Sequence, residues 1–324
     1  MDRRTFGLLV ARALAGGAAT HATTARWLTA SAATPFVPQL RPQPIDGYGL
    51  NPYQAIITID DAPDEIGPDG ENQTIKMARY LHSYRDDRHP NGISATFFVV
   101  GCHFLGQPPP DPRSWICGGR IGTQPLRSLW ELNALGHTVG NHTQDHIPLV
   151  GLTGDEVRYQ VGHWQRFLDR FQRNGLRLLR TPGLGYSEDT FRELIADPDL
   201  WKLTGPIDQD AGGQGYIDGK WIRGDWDAYR LGYSAIKSSE LYVRAATETT
   251  ICKGHGPVIL FHARTEYMDG SDGSGNFPLD LLRNTVERLT GIGYEFVPIT
   301  AIPGILPEDD DEPPSPRKKD RKEP

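Results

Sequence analysis

The stretch Gln54–Pro63, QAIITIDDAP, decides how the chain is read: a β-branched run that ends on two adjacent carboxylates, Asp60 and Asp61. A short run of this kind, bounded by a turn signal, predicts a strand from Gln54 to Asp60. Comparable runs recur at Ser94–Val100, His137–Val139, Leu176–Arg180, Leu200–Pro206, Pro257–His262 and Tyr294–Ile299. Between them lie patterns of helical period. The clearest follows the third strand, where Val157, Val161, Trp164, Leu168 and Phe171 recur four and three apart, with a capping box offered by Thr153 and Glu156. Leu282, Val286 and Leu289, closed by Gly291, predict a second helix and its stop. Seven strands alternating with helices predict an α/β fold with a parallel sheet, open or closed into a barrel. No dinucleotide fingerprint follows the first strand.

The chain has 324 residues, enough for a full core, and a dispersed formal net charge of −7. No basic stripe suits a phosphate backbone, so nucleic acid is not an expected partner. No apolar run is long enough for a stable membrane span. Met1–Ala22 has a basic start with Arg3 and Arg4, an apolar middle and small residues near Ala22. That layout predicts an export signal of the twin-arginine kind and a periplasmic or extracellular location. Residues 23–49 read as a proline-rich linker, 50–306 as one catalytic domain, and 307–324 as a disordered charged tail. In an oxidising compartment Cys102 and Cys117 are candidates to bridge, closing a loop worth roughly 3 kcal/mol in the chain-entropy treatment. Three unpaired thiols are the alternative.

Reactive side chains collect at strand ends, where a parallel barrel builds its sites. Asp60 and Asp61 end the first strand, His142 and His146 (NHTQDH) follow the third, Arg180 closes the fourth and His262 the sixth. Two imidazoles four residues apart, read as one face of a helical turn, meet one metal ion, and a carboxylate completes a two-nitrogen, one-oxygen set with positions open. The second aspartate is then spare. It can serve as a base, with Arg180 keeping it ionised, and His262 can protonate a leaving group. Adjacent residues on a regular strand face opposite ways, so the two aspartates can converge only where the strand has ended.

TIDDAP, ISATFFVVG, HTQDH, RTPGLG, GDWDAY and ILFH, in this order between Ile56 and Ile299, together resemble the polysaccharide deacetylase (NodB-homology) family. The resemblance implies a distorted (β/α)7-type barrel in a single catalytic domain, which removes N- or O-acetyl groups from a glycan with a divalent metal. Zinc is the first expectation, with cobalt, manganese or nickel as alternatives, and an acetylated glycan is the implied partner. On the family pattern Asp60 is the general base, oriented by Arg180, while Asp61, His142 and His146 bind the metal. His262 is the general acid, tuned by an aspartate for which Asp225 is the candidate. Trp226 and Leu260 form an acetyl pocket, and Gly183 N–H, after Pro182, is the oxyanion donor.

The chain departs from the pattern at Ile59, at Ala62, at Gly183 through Gly185, and at Ala263. Asp208 and Asp210 compete with Asp225 and Asp227 for the fourth motif. Trp115, Trp221 and Tyr229 suit sugar stacking, with partial core burial as their plain alternative. Two rival functions remain: a non-haem iron oxygenase, and a non-catalytic glycan-binding protein on the same fold.

Overall fold

The computed structural model describes residues 44–63, 71–105, 113, 114, 116, 125–172, 175–264 and 276–305. The export segment, most of the linker, Trp115, Cys117 and the charged tail lie outside the described residues. Among the described residues there are seven strands: β1 (Gln54–Ala62), β2 (Thr96–Val99), β3 (Thr138–Asn141), β4 (Gly215–Ile217), β5 (Lys220–Ile222), β6 (Val258–His262) and β7 (Glu295–Phe296). The longer helices among the described residues are α1 (Gln73–Ser83), α2 (Pro125–Ala134), α3 (Gly154–Val157, continued by a π-helical stretch Arg158–His163 and by Trp164–Leu168), α4 (Glu188–Ala196), α5 (Asp225–Arg230), α6 (Ala235–Glu248, continued by a π-helical stretch Thr249–Lys253) and α7 (Phe277–Gly291), with a single helical turn at Cys102–Leu105. The capping box at Thr153 forms as the spacing predicts. Helix α7 runs through Gly291, and the left-handed turn beyond it falls to Gly293, at φ 108°.

The main sheet has the order β3-β2-β1-β6, all parallel, with β7 parallel to the start of β1. Two expected strands, Leu176–Arg180 and Leu200–Pro206, are reduced to isolated parallel bridges, Asn141 with Leu179 and Leu178 with Thr204. Residues 200–203 turn on themselves, Leu203 N donating to Leu200 O, and Gly205 at φ 122° followed by Pro206 interrupts any ladder beyond Thr204. The ring still closes. Leu179 N donates to Thr204 O, Ile207 N to Leu179 O, and Ala211 bridges Ile259 of β6. Ile45 bridges Ile207 on this wall, so the residues just before Leu50 already belong to the folded body. The result is an α/β barrel of parallel strands with one irregular wall.

Strand alternation sorts the side chains. Ile57 and Ile59 of β1, Phe97 and Val99 of β2, and Ile259 and Phe261 of β6 pack outward against the helices in the larger core. Ile56, Phe98, Leu178, Ile207 and Val258 form a second cluster with Val297 and Ile299. Burial of an aromatic such as Phe98 contributes about 1.5–3 kcal/mol. Gly140 is forced by this packing, since a Cβ there would lie 2.5 Å from the Phe98 ring.

The β4–β5 hairpin went unforeseen although its signal is local. Asp218 and Gly219, at φ 50° and 77°, make the two-residue turn that this dipeptide favours. Of the stacking candidates, Trp221 is exposed and meets Tyr216 edge-on at 5.0 Å, whereas Tyr229 is buried against Phe277. Cys102 is disulfide-bonded and Cys252 is a free, exposed thiol. No helix among the described residues is long and apolar enough to cross a membrane.

Candidate active site

The two aspartates converge without the strand ending. β1 continues to Ala62, and its register against β2 shifts between Ile59 and Ala62 while Asp61 takes φ 62°. A bulge with one left-handed residue therefore re-aims Asp61 toward the side served by Asp60. His142 and His146 do not share a helical turn either. They lie on an irregular loop in which Thr143 and His146 have φ of 67° and 54°, and their ring centroids are 5.0 Å apart. Left-handed backbone at non-glycine residues costs of order 1–3 kcal/mol each and collects at functional sites.

Ligand atoms of Asp61, His142 and His146 lie within 4.8 Å of one another, and all three residues are buried. His142 Nδ1 donates to Arg180 O at 2.8 Å, which leaves Nε2 as a bare acceptor. That Nε2 is 3.6 Å from Asp61 Oδ1, and His146 Nε2 is 2.9 Å from the same oxygen. Asp61 Oδ1 is buried and accepts no well-formed hydrogen bond. Acceptor atoms converging in this way call for a cation between them, and one carboxylate with two imidazoles is a donor set that suits a divalent ion. Burial pushes the Asp61 carboxyl up, but His146, His142 and His262 outweigh it and hold it well below the usual range. Burial pushes His146 down, against the pull of Asp61.

Asp60 stands beside this cluster, its Oδ2 3.6 Å from His142 Nε2. Its other oxygen accepts from Arg180 Nη1 at 2.9 Å. Arg180 is completely buried, lies over Phe98 at 4.5 Å, and also donates to Thr58 Oγ1, Ile207 O and Asp208 O. One guanidinium thus ties β1 to the irregular wall. A buried ion pair this well hydrogen-bonded can offset the cost of its desolvation.

His262 ends β6 opposite Asp60 in register, and its Nδ1 lies 2.7 Å from Asp225 Oδ1. Asp225 also accepts from the backbone N–H groups of His262 and Trp226. Burial alone would push the imidazole down. Asp225, with Asp61 and Asp60 behind it, overrides this and raises it to about 9. The competition in the fourth motif ends here: Asp225 meets His262, while Asp208 accepts from Tyr186, Asp210 pairs with Lys253 and Asp227 with Arg223. Asp46, Asp210 and His255 also come within metal-binding distance, but Lys253 Nζ at 2.7 Å already supplies a cation to Asp210.

Leu260 is buried and shares a strand face with His262. The Trp226 ring is flanked by Arg223 at 4.7 Å and Arg230 at 5.9 Å. Pro182 and Gly183 form a single 3-10 turn just after Arg180, Gly183 at φ 57°. Among the described residues that turn makes no hydrogen bond to the carboxylates or imidazoles of the site. Two neighbours were missed from the sequence. Arg264 Nη1 is 3.6 Å from Asp61 Oδ2, and Thr58 receives Arg180. Each lies two residues from a recognised strand-end residue, so parity was the available signal.

Residues 51–197 match a family model described as polysaccharide deacetylase. No curated protein matches the chain. Among solved structures, the chitin deacetylase from the fungal pathogen Colletotrichum lindemuthianum is 18% identical, with 81% of this chain and 92% of that chain covered and a TM-score of 0.53. A CE4 family pseudoenzyme from Bacillus anthracis is 18% identical, with 81% and 69% covered and a TM-score of 0.52. These likenesses concern the fold.

Proposed function

The chain belongs to the polysaccharide deacetylase family, and on that premise we propose that it hydrolyses acetyl groups, N- or O-linked, on a polysaccharide or cell-wall glycan. The observation that carries the reading is the pairing of Asp60 with Arg180 and of His262 with Asp225 around the Asp61, His142 and His146 acceptors. Those three residues would hold a divalent ion, zinc by preference, which supplies Lewis acidity toward the acetyl carbonyl when bound.

The protein's own groups divide the proton work. Asp60, with one oxygen fixed by Arg180, keeps Oδ2 to take the proton of an attacking water. His262, protonated at neutral pH because Asp225 faces Nδ1, gives a proton from Nε2 to the departing sugar nitrogen or oxygen. Gly183 N–H donates to the developing oxyanion, and Leu260 with Trp226 receives the methyl group. A glycan-binding protein without chemistry would leave the Asp60–Arg180 and His262–Asp225 pairs without a task. We further propose that the N-terminal segment directs export. Sequencing the mature N-terminus of secreted protein tests this, and an intact Met1 there would refute it.

The catalytic reading is tested by acetate release from a panel of acetylated glycans, with and without chelator. Asp61→Ala is expected to lose bound metal. Asp60→Asn is expected to keep it and lose turnover by about 10²–10⁴-fold, the usual range for a general base. Wild-type rates in Asp60→Asn would overturn the assignment.

A further inference from the structure

The metal-binding loop is strained, and one side chain outside it makes a reciprocal set of bonds to it. Thr143, β-branched, and His146 both sit in left-handed backbone, which persists only where the surroundings over-determine it. Gly101 N and Cys102 N donate to the carbonyls of Thr143 and Gln144, fixing the loop from the β2 side. From the other side comes Gln160, 4% exposed, inside the π-helical stretch of α3. Gln144 N donates to Gln160 O at 2.6 Å, and Asp145 N donates to Gln160 Oε1 at 3.0 Å. Gln160 Nε2 in turn donates to Asp145 Oδ2 at 3.0 Å.

The π-helical geometry is what makes this reach possible. Trp164 N donates to Val161 O, so Gln160 O is given to the loop. Val161 O also accepts from Asn141 Nδ2 at 3.1 Å, and Asn141 Oδ1 accepts from Thr143 N at 2.9 Å. A widened turn inside an α-helix frequently marks a functional site, and here its carbonyls serve the residues that flank the imidazoles.

We propose that Gln160 is a positioning residue of the metal centre, clamping Gln144 and Asp145 so that His142 and His146 are held together before an ion arrives. The inference rests on reading Asp61, His142 and His146 as metal ligands. Groups that orient metal ligands from outside typically govern affinity by 10–100-fold. Gln160→Met fills the same volume but can neither donate to Asp145 nor accept from its N–H. The exchange Gln160→Glu with Asp145→Asn reverses the side-chain bond, keeps the acceptor for Asp145 N, and leaves the net charge unchanged.

The test is zinc affinity of the purified chain, measured by competition with a chromophoric chelator, alongside thermal unfolding in excess chelator. Gln160→Met is expected to bind zinc roughly 10–100-fold more weakly while still unfolding cooperatively without metal. The double exchange is expected within about threefold of wild type, as coupled partners should restore one another. Should Gln160→Met not fold, Gln160→Glu alone takes its place and is expected to bind more weakly than the double exchange. Equal zinc affinity in Gln160→Met and wild type, or a double exchange no better than the single variant, would overturn the proposal. A wild-type chain that takes up none of zinc, cobalt, manganese and nickel overturns it together with the function proposed above, which separates the two failures.

Discussion

Asp225→Asn is the most informative single change, because it removes one charge from a defined pair. In the metal-free chain His262 titrates near 9 against an ordinary value of 6.5, a difference worth about 3 kcal/mol. Asp225 is the largest of the influences that raise it, so without that charge burial prevails and the imidazole is expected to titrate at about 6.5 or below. At pH 8 the protonated fraction should then fall from roughly nine-tenths to a few per cent. A smaller structural cost adds to this. Asp225 accepts from His262 Nδ1, His262 N and Trp226 N, and an amide nitrogen cannot serve all three, which costs about 1–3 kcal/mol.

The sign of the pH effect on stability follows from the raised value. The folded protein holds this proton more tightly than the unfolded chain, so the contribution is complete below about 6.5 and is lost as pH rises through about 9. Imidazole C–H resonances followed from pH 5 to 10 in chelator, with unfolding by urea at the same pH values, read both quantities. Wild type is expected to lose stability between pH 6.5 and 9, and Asp225→Asn to lose much less across that window. A His262 titration that stays near 9 in the variant would refute the reasoning, since Asp225 would then not be what holds the proton.

Arg180→Met should destabilise the fold by about 3–5 kcal/mol in urea unfolding, because it leaves Asp60 charged and buried without its partner. Turnover should fall with it, and Arg180→Lys should recover little of either, since one ammonium cannot reach the four acceptors the guanidinium now serves. Chelator should lower the midpoint of thermal unfolding of metal-loaded protein, with up to about 4 kcal/mol lost if the ion was present at a thousand times its Kd. A midpoint indifferent to chelator and to added zinc would argue against the three-residue centre.

What could be read from the chain depended on how local its cause was. That reactive side chains gather near the ends of β1, β3 and β6 was legible because the apolar runs there give way to carboxylates and imidazoles, and the ordered motifs named the cluster. The end of β6 at His262 fell as read, whereas β1 runs on to Ala62 and β3 to Asn141. The way Asp60 and Asp61 meet was not legible. A bulge depends on the register against β2, a partner 34 or more residues away in sequence, whereas the alternation rule sees only one strand. The imidazole spacing suggested a helical turn for a similar reason: four residues fit that turn, but the left-handed backbone at Thr143 and His146 is imposed by bonds from Gly101, Cys102 and Gln160. The wall at 176–211 failed as two regular strands because Leu203 closes a turn and Pro206 has no N–H to offer. Asp225 could not be separated from Asp208 by spacing, since only the approach of α5 to β6 decides which carboxylate faces His262.

The irregular wall has a mechanical meaning of its own. Where β1 with β6 and β2 with β3 are zipped by continuous ladders, the seam through Leu179, Thr204 and Ala211 is stitched by a handful of amides and by Arg180. Amides along such a seam are expected to exchange with solvent through small openings that do not require the whole barrel to unfold, which native-state hydrogen exchange would read. Each opening that parts Ile207 and Asp208 from the guanidinium also slackens its hold on Asp60. Breathing of this one backbone seam would thereby be geared to the readiness of Asp60, the proposed base.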